Sequence, residues 1–184
     1  MITYSSLGVV WYAMKTTYKR ELKAKEYLDS RGIENFIPMQ QHITSKYGRR
    51  IVTTKPAIHN LIFVKVDLSQ LKDIKASLGY IHNCLTDKDN ITSPIIVPFQ
   101  QMEQFIDVTT KHLDQIAYVD LTTTTLKKGT PVRIIDGRFK GYEGELERIK
   151  GKRNRRVHVN IKGITAYSFE VEADLIEVID LETV

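Results

Sequence analysis

Apolar and polar positions along this chain follow two different periods, and the change of period divides it into two parts. Residues 9–14, VVWYAM, form a short β-branched and aromatic run that marks a buried strand. A helix is predicted over 18–31, with Thr17 as cap, Glu21 and Lys25 as an i,i+4 pair, Ala24, Tyr27 and Leu28 on one face, and Gly32 at the C-terminal cap. Strands are predicted over 35–46 and 50–66, split by the turn Tyr47-Gly48-Arg49 with its basic tip. Residues 61–64 are continuously apolar, as a central strand covered on both faces would be. Leu71, Ile74 and Leu78 signal a second helix between an Asp67 N-cap and a Gly79 stop. Residues 80–97 should hold one more strand and a connection. Pro98 then opens a third helix with Met102, Phe105, Ile106 and Thr109 on one side. The order βαββα, then β and α, predicts an α+β sandwich of the ferredoxin-like kind, its helices packed on an antiparallel sheet.

Periodicity fades over 111–126, where the threonines 122–125 offer no apolar stripe, and a linker is expected there. Beyond it the chain changes to short strands with glycine turns, at 132–135, 144–149, 156–161, 167–171 and 175–178. Five short strands in so few residues indicate a small all-β barrel of the SH3-like type. The expected division is a first domain over 8–110, a linker over 111–126 and a second domain over 127–181.

Charge sharpens this division. The net over residues 1–126 is +3, over 127–162 it is +8, and over 163–184 it is −6, for a total of +5 in 184 residues. A +8 block suits a polyanion partner, because clustered Lys and Arg release condensed counterions from phosphates. A solvated basic loop balanced by the acidic C-terminus is the plainer account. The chain is 42% hydrophobic without a run long enough to span a bilayer, and its start lacks a basic region before the apolar stretch, so a cytoplasmic protein without membrane partners is expected. The single cysteine, Cys84, excludes an internal disulfide. No GxxxxGK[ST] loop, GxSxG elbow or HExxH is present, and the five histidines lack ligand spacing. An enzyme is not expected, nor a catalytic residue, a metal or a cofactor.

The most informative segment is 127–161, KKGTPVRIIDGRFKGYEGELERIKGKRNRRVHVNI. Its Gly129, Val132, Asp136, Gly137, Phe139, Gly141 and Gly144 combine a first strand with a tight glycine connection, and the whole resembles the KOW motif of ribosomal proteins and of the NusG family of transcription elongation factors. The earlier segments WYAMKTTYKRELKAKEYLDSRG and PAIHNLIFVKV resemble the opening strand and helix and the central strand of the NusG N-terminal (NGN) domain, in the same order. Together with FIPM at 36–39 and KGKRNRRV at 150–157, they are most similar to the UpxY-like specialised paralogues, antiterminators associated with capsular polysaccharide loci.

The resemblance implies a protein that suppresses pausing and termination by docking the NGN domain on the clamp helices of RNA polymerase, as a monomer. It implies polymerase contact by Ile58, Leu61 and Phe63, although alternation with Ile62 and Val64 leaves core as an equal assignment for each, and by Trp11, for which a lone tryptophan in an apolar strand favours core. Lys19 and Lys23, four apart on one helical face beside Arg20, with Tyr18 available for stacking, fall where the family meets the exposed non-template DNA strand. Lys150, Lys152, Arg153, Arg155 and Arg156 either touch nascent RNA, polymerase or ribosome, or keep a hairpin tip solvated. Two departures bear on partners. His59-Asn60-Leu61 stands where the housekeeping branch has a Pro-Gly-Tyr-type turn. Lys162 replaces the usual aromatic that meets Rho or a ribosomal small-subunit protein, leaving Ile161 and Ile164 as apolar contacts there. A general elongation factor and a KOW-containing ribosomal or RNA-binding protein are the competing readings.

Overall fold

The computed structural model describes residues 8–88, 91–113, 115–120, 129–148, 155–161 and 164–179. They form two compact units that divide between Ile106 and Asp107, inside the third helix. The first unit runs β1 (Val10–Thr16), α1 (Glu21–Asp29), β2 (Asn35–Phe36), β3 (Met39–Lys46), β4 (Arg49–Pro56), β5 (Leu61–Val66), α2 (Leu68–Ser77), β6 (Ile81–Asn83), β7 (Leu85–Lys88), β8 (Ile91–Pro94), β9 (Ile96–Val97) and the start of α3 (Phe99–Lys111).

Strand β1 is the centre of its sheet because nearly all of its side chains are apolar and can be covered on both faces. Antiparallel β5 lies on one side, with β2 beyond it, and β6 and β9 pair with successive stretches of the other side. The register Tyr12↔Val64 and Met14↔Ile62 puts these four side chains on one face, where Ala24 and Leu28 of α1 and Leu71 and Ile74 of α2 bury them. The opposite face carries Ala13 and Phe63, with Phe36 beside them, and Phe105 of α3 meets both Phe36 and Phe63 edge-on at 5.6 and 5.8 Å. Leu61, Ile62, Phe63 and Val64 are all buried, as their continuous apolar run implies.

Helix α2 begins where Asp67 accepts the Gln70 amide N–H at 2.8 Å and Gln70 returns the contact, a capping box. Helix α1 departs from the expected 18–31. Tyr18 and Lys19 take φ of 57° and 54°, so the helix cannot include them; Arg20, not Thr17, occupies the cap position and makes no side-chain cap bond. The expected 50–66 strand is two strands, because the chain turns over 57–60 with Ala57 donating to the Pro38 carbonyl and Asn60 at φ 65°. Residues 80–97 hold more than the single strand expected: β6, the β7–β8 hairpin and β9.

The second unit contains β10 (Ala117–Asp120), β11 (Thr130–Ile134), β12 (Glu143–Arg148), β13 (Arg155–Ile161), β14 (Thr165–Val171), a 3-10 turn (Ala173–Leu175) and β15 (Ile176–Val178) in one antiparallel sheet ordered β10-β14-β13-β12-β11-β15. Strand β10 falls inside 111–126, the stretch expected to be linker, and pairs with β14 from Ala117↔Ser168 to Asp120↔Thr165. The core joins Val132, Ile134, Val157, Ile161, Tyr167 and Phe169, and Phe139 stacks on Phe169 with ring centroids 4.1 Å apart. Gly137 and Gly141, at φ 81° and 87°, shape the connection after β11, and the Gly141 amide donates to the Ile134 carbonyl at 2.7 Å. Gly144 lies so close to β13 that a Cβ there would sit 2.6 Å from the His158 carbonyl oxygen. Val132 and Phe139 are core, Asp136 is exposed at the turn, and Gly129 approaches the Leu146 backbone while donating its N–H to Glu145.

Candidate nucleic-acid interface

Four residues between β1 and α1 are held in place by two distant parts of the chain. Thr16 donates its amide N–H to the Asn60 carbonyl at 2.8 Å, and Thr17 donates to the Tyr80 carbonyl at 3.0 Å. Two residues on, the Lys19 amide donates to the side-chain oxygen of Asn60 at 2.7 Å. These bonds hold Tyr18 and Lys19 in left-handed backbone that non-glycine residues adopt only at a cost. The turn projects the Tyr18 ring outward, 84% exposed.

Arg20 follows, and its guanidinium lies 5.4 Å from the Tyr18 ring centroid and 5.0 Å from that of Tyr80. Each contact is a cation–π attraction, so one guanidinium serves two rings. Burial raises the Tyr80 phenol pKa and the nearby Arg20 charge works in the opposite direction, so the hydroxyl stays protonated at neutral pH. Lys23 adds an exposed cation on α1. Below this surface Glu21 is almost fully buried at the helix start, with Thr16 Oγ1 donating to one carboxylate oxygen at 3.5 Å and His59 Nδ1 3.5 Å from the other. An exposed ring suits an unpaired base and the surrounding cations suit phosphates, the combination that binds single-stranded nucleic acid without reading its sequence.

The structure brings together Tyr18, Lys19, Arg20 and Lys23, though not on one helical face: Lys19 precedes the helix in left-handed backbone, and the turn gathers them instead. Two members of the site, Tyr80 and Asn60, were missed from sequence. The traces they leave are an Asn before a strand, a residue type that tolerates positive φ, and a Tyr just past the Gly79 helix stop.

The residues expected to meet polymerase lie on or beside the first unit's sheet. Trp11, Leu61 and Phe63 are interior, Ile58 is nearly so, and none offers a free apolar face. On the face that alternation left open, Phe105 of α3 lies edge-on against Phe63. Lys65 lies over both the Trp11 and Phe99 rings, at 5.8 and 4.7 Å, and Phe99 is exposed at the rim of that face.

In the second unit Arg156 pairs with Glu170 across β13 and β14 at 3.1 Å, and Arg155 is half-buried. Lys150, Lys152 and Arg153 lie outside the described residues, as does Lys162. Ile161 and Ile164 are buried, so neither is an exposed contact. Among the described residues no group of His, Cys, Asp or Glu is arranged to hold a metal ion, and no helix is long and apolar enough to cross a membrane.

The family model "Transcription termination factor nusG" matches residues 9–106, and that of the KOW motif matches residues 128–160. The first covers more than half of the chain, and the chain belongs to the NusG family, non-enzymatic transcription elongation factors whose members bind RNA polymerase. Among solved structures it is similar to NusG of Thermotoga maritima, described for its domain interaction, at 17% identity over 94% of this chain and 98% of that one with a TM-score of 0.49. It is also similar to a chain of the MjSpt4:Spt5 complex in conformation B, at 10% identity over 95% and 99% of the two chains with a TM-score of 0.27. No curated protein matches the chain.

Proposed function

We propose that this chain is a processive antiterminator of the UpxY-like kind, acting on RNA polymerase at particular operons such as capsular polysaccharide loci. The observation that carries the nucleic-acid half of this reading is the Tyr18–Arg20–Tyr80 stack. It is an exposed, cationic, aromatic surface on the NGN unit, suited to the single strand displaced in an elongating polymerase. Polymerase contact falls to the exposed rim around Phe99, with Trp11, Leu61 and Phe63 supporting it from within. Binding there accelerates no bond-making step. It favours the elongating state through differential affinity, and 1.4 kcal/mol of preference shifts the balance about tenfold.

The basic stretch 150–156 is the candidate contact for nascent RNA, and with Ile161 and Ile164 interior the chain has less to offer Rho or a ribosomal small-subunit protein. The test is elongation by purified polymerase on templates with a pause and a terminator, using wild type and a Tyr18→Ala, Arg20→Ala variant checked for folding. Increased readthrough that the variant loses supports the reading. Equal stimulation of unrelated templates would instead indicate a general elongation factor. No effect on any template, together with no retention of polymerase on the immobilised protein, would overturn it.

A further inference from the structure

Strands β3 and β4 pair with each other over eight rungs, from Met39↔Pro56 to Lys46↔Arg49, and among the described residues with no other strand. The turn that joins them is Tyr47-Gly48, with φ of 52° and 72°, the two-residue connection that matches the twist of a ribbon. Most side chains outward from Gln41 are exposed on both faces, and Tyr47 at the tip is 92% exposed. Residues 39–56 carry Lys46, Arg49, Arg50 and Lys55 and no Asp or Glu. None of the four cations has an ion-pair partner among the described residues.

Such an arm is unfavourable when left in water. A lone two-stranded ribbon is marginally stable, and three like charges crowd its tip. The exposed pair Ile43 and Val52, directly opposite one another, adds apolar surface that nothing in its unit covers. A polyanion with a groove relieves all three.

We propose that the β3–β4 arm binds duplex DNA by lying in its major groove with the Ile43–Val52 face toward the bases, while Arg50 on that same face and Lys46 and Arg49, paired on the opposite face at the tip, reach the flanking phosphates. The groove of B-form DNA is about 12 Å wide and admits a two-stranded ribbon, and its floor presents thymine methyl groups to apolar side chains. Eight rungs at about 3.4 Å each make an arm of about 27 Å, long enough to reach across the groove. The major groove of duplex RNA is too deep and narrow for side chains to read. A single strand would need a series of stacking rings, and Tyr47 is the one aromatic of the arm. This contact goes beyond the polymerase reading and needs no polymerase.

The test is fluorescence anisotropy of the full-length protein, without polymerase, against a labelled 20-base-pair DNA duplex, one of its single strands, and an RNA hairpin. Wild type is compared with a Lys46→Gln, Arg49→Gln, Arg50→Gln variant and with an Ile43→Ser, Val52→Ser variant, each with its thermal unfolding recorded. Removing three phosphate contacts should weaken duplex binding by tenfold or more and reduce the slope of log K against log salt by about 3. The Ile43→Ser, Val52→Ser variant should bind several-fold more weakly with the slope unchanged. Single-strand binding should survive the triple substitution and be lost instead on Tyr18→Ala, Arg20→Ala. Duplex binding unaffected by the tip substitutions, tighter binding of the RNA hairpin than of the duplex, or an unchanged affinity on removing the apolar pair would overturn the proposal. None of those results would alter the outcome of the elongation assay.

Discussion

Asn60 accepts the backbone N–H of Lys19 through its side-chain oxygen at 2.7 Å, joining the turn before β5 to the turn before α1 across 41 residues of sequence. Both partners have positive φ, so one strained turn holds the other. Asn60→Ala removes the acceptor and asks a Cβ-bearing residue with no compensating bond to keep φ near 65°. It should cost about 1–3 kcal/mol. Asn60→Gly keeps the backbone freedom and should cost less. Urea unfolding of both variants checks the order, and an alanine variant as stable as wild type would refute it.

Phe105 fills the space between Phe36 and Phe63 beneath α3. Phe105→Ala should therefore cost about 3–5 kcal/mol, the range for deleting a buried aromatic. Phe63→Asp should be worse, because it buries a charge without a partner. Thermal unfolding followed by circular dichroism would show this, and a failure of Phe63→Asp to bind polymerase would then report lost folding.

Gly144 and Gly48 should respond to alanine for different reasons. At Gly144 the new Cβ would meet the His158 carbonyl oxygen at 2.6 Å and the methyl groups of Val157 and Val159 at 2.8 and 2.9 Å. Backbone cannot yield as a flexible side chain can, so a loss of about 1–3 kcal/mol or more is expected. At Gly48 there is open space, but φ is 72° and the expected cost is about 1–2 kcal/mol. Urea midpoints would separate the two, and they should fall in different transitions if the two units unfold independently.

Cys84 is buried beside β1, its amide donating to the Ala13 carbonyl at 2.9 Å, and burial pushes its thiol pKa up from 9.0 to about 11. The folded state holds the thiol proton more tightly than the unfolded state does. Its contribution to stability is therefore fully present below about pH 9 and declines from there to about pH 11. The loss is on the order of 3 kcal/mol. Cys84→Ala should flatten stability over that interval, and a thiol-specific reagent should react slowly at pH 8 until denaturant is added. Fast labelling of the native protein would contradict the assignment.

Much of the architecture was legible in the chain because local patterns act locally. The Asp67 cap with Leu71, Ile74 and Leu78 marks α2, the apolar run 61–64 marks a doubly covered strand, and the glycine spacing of 127–161 marks the KOW turn. Residue type and spacing suffice there, since caps, periods and turns are settled within a few residues. Tyr18, Lys19, Arg20 and Lys23 could be singled out for the same reason, as exposed ring and charge in one short segment.

Tertiary structure alone decided which apolar face of β1 and β5 remains free, and the answer is neither. Alternation separates Leu61 and Phe63 from Ile62 and Val64, but only Phe105 of α3, 42 residues further on, closes over Phe63. The same holds for the stack that completes the nucleic-acid surface. Tyr80 reaches Arg20 because the Thr17 amide binds the Tyr80 carbonyl, a pairing of residues 63 apart that no local periodicity encodes. The sequence by itself determined which side chains could carry charge, aromatic rings and turns. Long-range pairing determined which of them face solvent, because burial depends on what the rest of the chain brings alongside.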